Sequence, residues 1–228
     1  MPHLAFDPVA HSAARQQRLD RAWLRQGEAR LRFYRVRPAV SLARHQVAAR
    51  EVRLAYCTRN AIAVTRRESG GGALYLDPGQ LCFSLLLPDA ASPLGAILET
   101  GARAVARALA ALGAHAAFKF PNDVEIAGGK AASVFAARAG RAVLLHGVVL
   151  LEADVRTMLE ALRAPTEKLS ADGLAAARDR LAPLSARLDP PPAPEALARA
   201  TARHRAGAFG REIPVEAASP PAGHAAPA

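Results

Sequence analysis

Three consecutive glycines, Gly70-Gly71-Gly72, follow Arg66-Arg67-Glu68-Ser69 and separate two strand-like stretches, Ala61-Ile62-Ala63-Val64-Thr65 and Ala73-Leu74-Tyr75-Leu76. Such a run breaks a helix or a strand, so it predicts a glycine turn in which the two stretches form part of an antiparallel segment. It also leaves backbone N–H groups unshielded by any Cβ, so the chain can close around an anion and donate to it directly. Further on, Gly128-Gly129-Lys130 carries a lysine, although only Lys119, Lys130 and Lys168 among the 30 basic side chains are lysines. A compact ammonium approaches a single oxygen in a way that the planar guanidinium fork does not. Together the two motifs suggest a phosphate-handling site, with a plain glycine hairpin and a surface lysine as the structural alternative.

At 228 residues and 24.0 kDa the chain suits one α/β domain of ordinary size. Aromatic residues are only 5% against 51% hydrophobic, which predicts an aliphatic core and alanine-rich helices. No apolar run reaches the roughly 18–20 residues of a membrane span, and Met1-Pro2-His3-Leu4 lacks a basic segment followed by an apolar one. A soluble cytoplasmic protein is expected. Cys57 and Cys82 have no metal-ligand spacing, and a reduced compartment is the default. The net charge of +10 invites a nucleic-acid reading, but the arginines are scattered and the aromatics too few for a base-stacking platform. An acidic protein partner is the expected use of that charge.

Helical spacing of Leu19, Ala22 and Trp23 predicts a helix over residues 12–30, and a second is expected over 46–57. Leu98, Ala102, Val105, Leu109 and Leu112 form one apolar stripe over 94–112, preceded by Ser92 as cap and Pro93, and ended by Gly113. Strands are expected at 31–36, 39–42, 81–87, 124–127, 131–137 and 143–151, and further helices at 154–163 and 173–178. Grouped antiparallel strands with helices inserted between groups favour an α+β fold. Pro190-Pro191-Pro192 marks a change of character. The expected organisation is therefore a domain over 1–187, a linker and possible basic helix over 188–213, and a disordered tail over 214–228.

The order Arg66-Arg67-Glu68-Ser69-Gly70-Gly71-Gly72-Ala73, Asp77, Asn122-Asp123, Lys130, His146-Gly147 resembles the catalytic domain shared by lipoate-protein ligases, biotin-protein ligases and octanoyltransferases. The glycine stretch, with Asp77 and Cys82-Phe83, is most similar to the lipoate-protein ligase A family. Lys119-Phe120-Pro121-Asn122-Asp123 is closer to biotin ligases, and Pro78-Gly79-Gln80-Leu81 to octanoyltransferases. The resemblance implies a mixed, mainly antiparallel sheet with flanking helices, and an ATP- and Mg²⁺-dependent ligase that activates lipoate as an acyl-adenylate. The acceptor would be a lysine of a carrier, such as the lipoyl domain of a 2-oxoacid dehydrogenase, a glycine-cleavage H protein or a similar domain, with no nucleic acid and no membrane involved. Larger ligases of this type carry a C-terminal domain, so the resemblance implies either a separate accessory subunit or an adenylate site that closes by its own loops.

By the same resemblance Lys130 is the catalytic cation, and Gly70, Gly71 and Gly72 line the pocket. Arg66 and Arg67 reach phosphate, Asp123 with Asn122 holds Mg²⁺ or phosphate, and Ser69, Ser133 and His146 are further pocket residues. A transferase needs a nucleophilic cysteine, and neither Cys57 nor Cys82 stands where that family's would. The chain also departs from the ligase pattern at Ala43, Val47, Leu76 and Ser133. A biotin-protein ligase, a lipoyl or octanoyl transferase and a non-catalytic carrier-binding subunit remain the alternatives.

Overall fold

The computed structural model describes residues 6–163 and 169–210. Seven strands form the main sheet: β1 (Phe6–His11), β2 (Arg30–Val36), β6 (Gln80–Leu87), β7 (Ala116–Lys119), β8 (Asp123–Ile126), β9 (Gly129–Ala139) and β10 (Ala142–Leu150). Their order is β1-β2-β6-β10-β9-β8-β7, and every neighbouring pair except β1 with β2 is antiparallel. A smaller sheet contains β3 (Ala39–Leu42), β4 (Ala63–Arg66) and β5 (Leu74–Leu76). The inner strand β6 is buried along its whole length, since it lies between layers on both faces.

One face carries α4 (Leu94–Ala110), which packs on β7, β8 and β9, and α7 (Pro194–Phe209), which packs on α4. The apolar stripe of α4 buries Ala102, Val105 and Leu109 into a core shared with Leu85, Leu145 and Val149. The other face carries α1 (Ala13–Gln26). Ser12 caps this helix by accepting from the backbone N–H of Arg15, and Gly27 ends it with φ 71°. Its inner face delivers Asp20 to the buried Arg32 of β2 at 2.6 Å, and the guanidinium lies over the rings of Trp23 and Tyr34. Three further helices, α2 (Ala48–Glu51), α3 (Leu54–Arg59) and α5 (Val155–Ala161), surround the small sheet, and α6 (Ala171–Asp179) packs on α5.

Several sequence expectations need correction. The helix expected over 46–57 is split into α2 and α3, because Val52 turns extended to bridge Leu162 and Arg53 donates its N–H to Ala161. The glycine run does not close an antiparallel hairpin. Instead β4 runs parallel to one side of β3, β5 antiparallel to the other, and the glycines cross over between them. Ser92 makes no cap, and α4 starts after Pro93 without a side-chain capping bond. Strands β1 and β7 were not anticipated. The helix expected beyond the linker is α7, but it is no appendage: Leu197 and Ala198 are fully buried in the main core, so packing does not end at residue 187. The segment 214–228 lies outside the described residues.

Candidate active site

Lys130 stands at the start of β9, where its backbone is clamped on one side by the chain after α6. Its N–H donates to the Arg180 carbonyl at 2.9 Å, and its own carbonyl accepts from Ala182 at 2.8 Å. Gly129 makes this approach possible, since a Cβ there would sit 3.0 Å from the carbonyl of Leu181. The Lys130 ammonium meets Asp123 Oδ2 at 2.8 Å, and Ser133 Oγ donates to Asp123 Oδ1 at 2.7 Å. Both carboxylate oxygens are therefore oriented. Asn122 does not join them: its Nδ2 donates to the Val134 carbonyl at 3.0 Å, and Val134 N–H returns to its carbonyl, which pins the turn before β8.

This cluster borders a chamber of about 610 Å³. Leu74 and Tyr75 of β5, Leu150 of β10, Met158 and Leu159 of α5 and Leu181 form apolar walls, while Asp123, Lys130, Ser133, Glu125 and Lys119 form a charged end. Lys119 pairs with Glu125, so two ammonium–carboxylate pairs stand side by side. Such a cavity has the size and mixed lining of a small-molecule site. Burial, and then the nearby carboxylates of Asp77 and Asp154, push the Tyr75 phenol up, so it stays neutral. Sequence reasoning missed Tyr75, Met158, Leu159 and Leu181 as site residues. Their signal is that of ordinary core side chains, and only the packing of α5 beside β5 and of α6 on α5 turns them toward a cavity.

The glycine loop lies beside the chamber, and Ala73 at its end forms part of the chamber wall. Gly70, Gly71 and Gly72 are exposed, while Arg67 beneath them is buried. The Arg67 guanidinium donates to the carbonyls of Ser41, Gly70 and Gly72 at 2.7–2.8 Å and to Ser69 Oγ at 3.0 Å, and it stacks on Phe135 at 4.7 Å. These peptides are trans, so drawing the Gly70 and Gly72 carbonyls inward turns the N–H groups of Gly71 and Ala73 outward. At Gly71 φ is 96°, and a Cβ would meet the Phe135 ring at 3.2 Å. Burial lowers the Arg67 pKa to about 10, which leaves it charged at neutral pH.

Two expectations change here. Arg66 and Arg67 do not present free guanidinium groups to phosphate in this structure: Arg67 shapes the loop, and Arg66 holds the carbonyls of Ala43, Arg44 and Gln46. His146 and Ser69 are not in the chamber wall either. His146 Nε2 lies 2.6 Å from Ser69 Oγ, tying the centre of β10 to the loop. Burial first, and the nearby Arg67 and Arg32 in addition, pull His146 down to about 4, against an opposing pull from Asp20. The imidazole is therefore neutral. Both cysteines are buried, and burial pushes Cys57 up and Cys82 up to about 12, so neither offers a thiolate.

A fold with this clamped lysine, oriented carboxylate and glycine loop has a counterpart among known families. Residues 8–205 match the lipoyl protein ligase A/B catalytic domain. The chain belongs to that family. Among its relatives is lipoate-protein ligase A subunit 1 of Thermoplasma acidophilum, 33% identical over 162 residues, which cover 67% of this chain and 62% of the relative. A solved chain of the bipartite lipoate protein ligase of Thermoplasma acidophilum, studied with its E2 lipoyl domain, superposes with a TM-score of 0.82 at 26% identity, covering 95% of this chain and 88% of that one. A lipoate-protein ligase A bound with ATP shares the fold, with a TM-score of 0.81 at 23% identity over 96% of this chain and 89% of that one. The chain spans about half the length of the curated relatives it matches.

A divalent cation can be tested against this family member's residues. Asp123 and Glu125 supply hard oxygen donors in the chamber wall, while among the described residues no group of three or more metal-ligating side chains comes together. Both carboxylates are already paired, Asp123 with Lys130 and Glu125 with Lys119, so a Mg²⁺ ion would be held here only together with substrate phosphates and its own waters, not in a dedicated metal cage.

Proposed function

We propose that this protein is a lipoate-protein ligase, activating lipoate with ATP and passing the acyl group to a lysine of a carrier domain. The observation that carries the reading is the Lys130 ammonium, held 2.8 Å from Asp123 at the border of a chamber large enough for a small ligand, in a chain of the ligase family. In the first half-reaction the lipoate carboxylate attacks the α-phosphorus of ATP, the acyl–phosphate anhydride forms, and pyrophosphate leaves. In the second the amine of the carrier lysine attacks the acyl carbonyl and AMP leaves. Both transition states gather negative charge on oxygen, and a preoriented cation stabilises them more than the ground state.

Lys130 supplies that charge and Asp123 with Ser133 aims it. The outward N–H groups of Gly71 and Ala73 offer neutral donors on the side of the glycine loop. Mg²⁺, bound by Asp123 and Glu125, would offset the charge of the triphosphate. The absence of a thiolate at Cys57 and Cys82 favours ATP over a thioester as the source of activation. Carriers of the lipoyl-domain type fit as acceptors, by analogy with the bipartite ligase and its E2 lipoyl domain. By analogy with the bipartite ligase of Thermoplasma acidophilum and with the relative that is a ligase subunit, a separate accessory protein is proposed to support adenylation more than transfer.

Purified protein incubated with ATP, Mg²⁺ and lipoate, octanoate or biotin in turn is expected to yield lipoyl-AMP by mass spectrometry. An adenylate of biotin alone would move the assignment to a biotin ligase, and a trapped acyl-enzyme thioester would move it to a transferase. Full lipoylation of a lipoyl domain by the isolated chain would remove the accessory subunit from the proposal.

A further inference from the structure

Helix α1 carries four arginines and a single acid, Asp20, and that acid is turned inward onto Arg32. What remains outside is Arg18, Arg21 and Arg25, all exposed and spaced three and four residues apart, so they share one helix face. Among the described residues no acidic side chain pairs with Arg18 or Arg25. The face is anchored beside the glycine loop: Gln17 Nε2 donates to Thr65 Oγ1 at 2.9 Å, and Arg21 Nη1 reaches Glu68 Oε1 at 3.3 Å. On the adjoining side of the loop, Arg44 is exposed and its N–H donates to the Ser69 carbonyl at 3.0 Å. A row of cations, in which among the described residues only Arg21 has an acidic partner, thus borders the segment that leads through Ala73 into the chamber.

We propose that the arginine face of α1, with Arg44 beside it, is the docking surface for the acidic carrier domain whose lysine is acylated, an inference that rests on the ligase reading. Like charges at helical spacing repel one another slightly, and Glu68 offsets only Arg21, so Arg18 and Arg25 leave the face matched to negative charge from outside. Complementary charge of this kind speeds encounter and sets register, and its effect fades with salt. The face lies across the sheet from α4 and α7, so the basic residues of those two helices do not substitute for it.

The test uses the full chain and the apo lipoyl domain of a 2-oxoacid dehydrogenase with net negative charge. Arg18→Glu/Arg25→Glu is expected to weaken binding of that domain about tenfold at low salt and to flatten its salt dependence, while ATP-dependent lipoyl-AMP formation stays at the level of the unaltered protein. The matched reversal Arg199→Glu/Arg203→Glu on α7 is expected to change binding by less than about twofold. Equal losses from the two reversals would show a net-charge effect and overturn the proposal, as would unchanged binding in the α1 variant. Preference of the α1 face for a DNA duplex over the lipoyl domain would also overturn it. Failure of the unaltered chain to transfer the acyl group from supplied lipoyl-AMP to the lipoyl domain would refute the ligase reading instead, and the binding comparison is still read without it.

Discussion

Lys130 is set by its neighbours as much as by its own side chain: the main chain at 180–182 fixes its backbone, Asp123 fixes its ammonium, and Ser133 fixes Asp123. Because 43% of its side chain is exposed, removing it should not unfold the protein. Lys130→Met is expected to lower lipoyl-AMP formation and transfer from supplied lipoyl-AMP each by at least about 10²-fold, the scale for loss of one oriented donor, with an unchanged melting temperature. Lys130→Arg should recover little, since the guanidinium fork does not fit the place of an ammonium. Single-turnover assays of the two half-reactions check both.

His146 carries the pH dependence of the loop's foundation. The unfolded side chain takes up a proton near pH 6.5, while the folded one resists until about 4. Stability from this residue is therefore complete above pH 6.5 and falls as the pH drops toward 4, by about 3 kcal/mol at the lower end. Urea unfolding at pH 7 and pH 4 should show that loss. In His146→Gln, which keeps a hydrogen-bonding partner for Ser69 and does not titrate, the slope should shrink.

Among the elements, α7 presents an energetic puzzle that the remaining helices do not. Arg205 is fully buried, and among the described residues its three guanidinium nitrogens have no hydrogen-bond partner, nor has Thr201 Oγ1 one turn earlier. Its guanidinium lies 3.7 Å above the Phe83 ring, and burial alone lowers its pKa to about 9. A ring face offsets only part of the desolvation of a buried charge. Arg205→Met keeps the volume and removes the charge, so it is expected to leave stability unchanged or raise it by about 1–3 kcal/mol. Thermal melting at neutral pH decides, and a marked destabilisation would mean that Arg205 has a partner in solution.

For the whole molecule, the core does not stop where the proline-rich segment begins. Leu197 and Ala198 are fully buried with Leu85, Leu109 and Leu184, and α7 covers α4. A chain ending at residue 187 is expected to lose its cooperative thermal transition, because it exposes the outer side of α4 and removes two buried core side chains. Circular dichroism of the shortened protein, which should lose its near-ultraviolet signal, checks this. The chamber is likewise a property of the whole: β5, β8, β9, β10, α5 and α6 each contribute wall residues.

The sequence alone determined the residues whose chemistry is local. The glycine runs at 70–72 and 128–129 announce backbone with special needs, met at Gly71 and Gly128 by positive φ and at Gly129 by close approach, and Asn122-Asp123, Lys130 and the α4 stripe announce themselves by type and spacing. Period-two and helical patterns likewise located β8, β9, β10 and α4, because side-chain periodicity follows directly from backbone geometry. Only the tertiary structure decided that β4 and β5 flank β3 instead of pairing, that Arg67 turns inward to shape the loop, and that α7 belongs to the core. Those outcomes depend on which backbone carbonyls and apolar surfaces come to need a partner after distant segments meet, and no local spacing encodes that requirement.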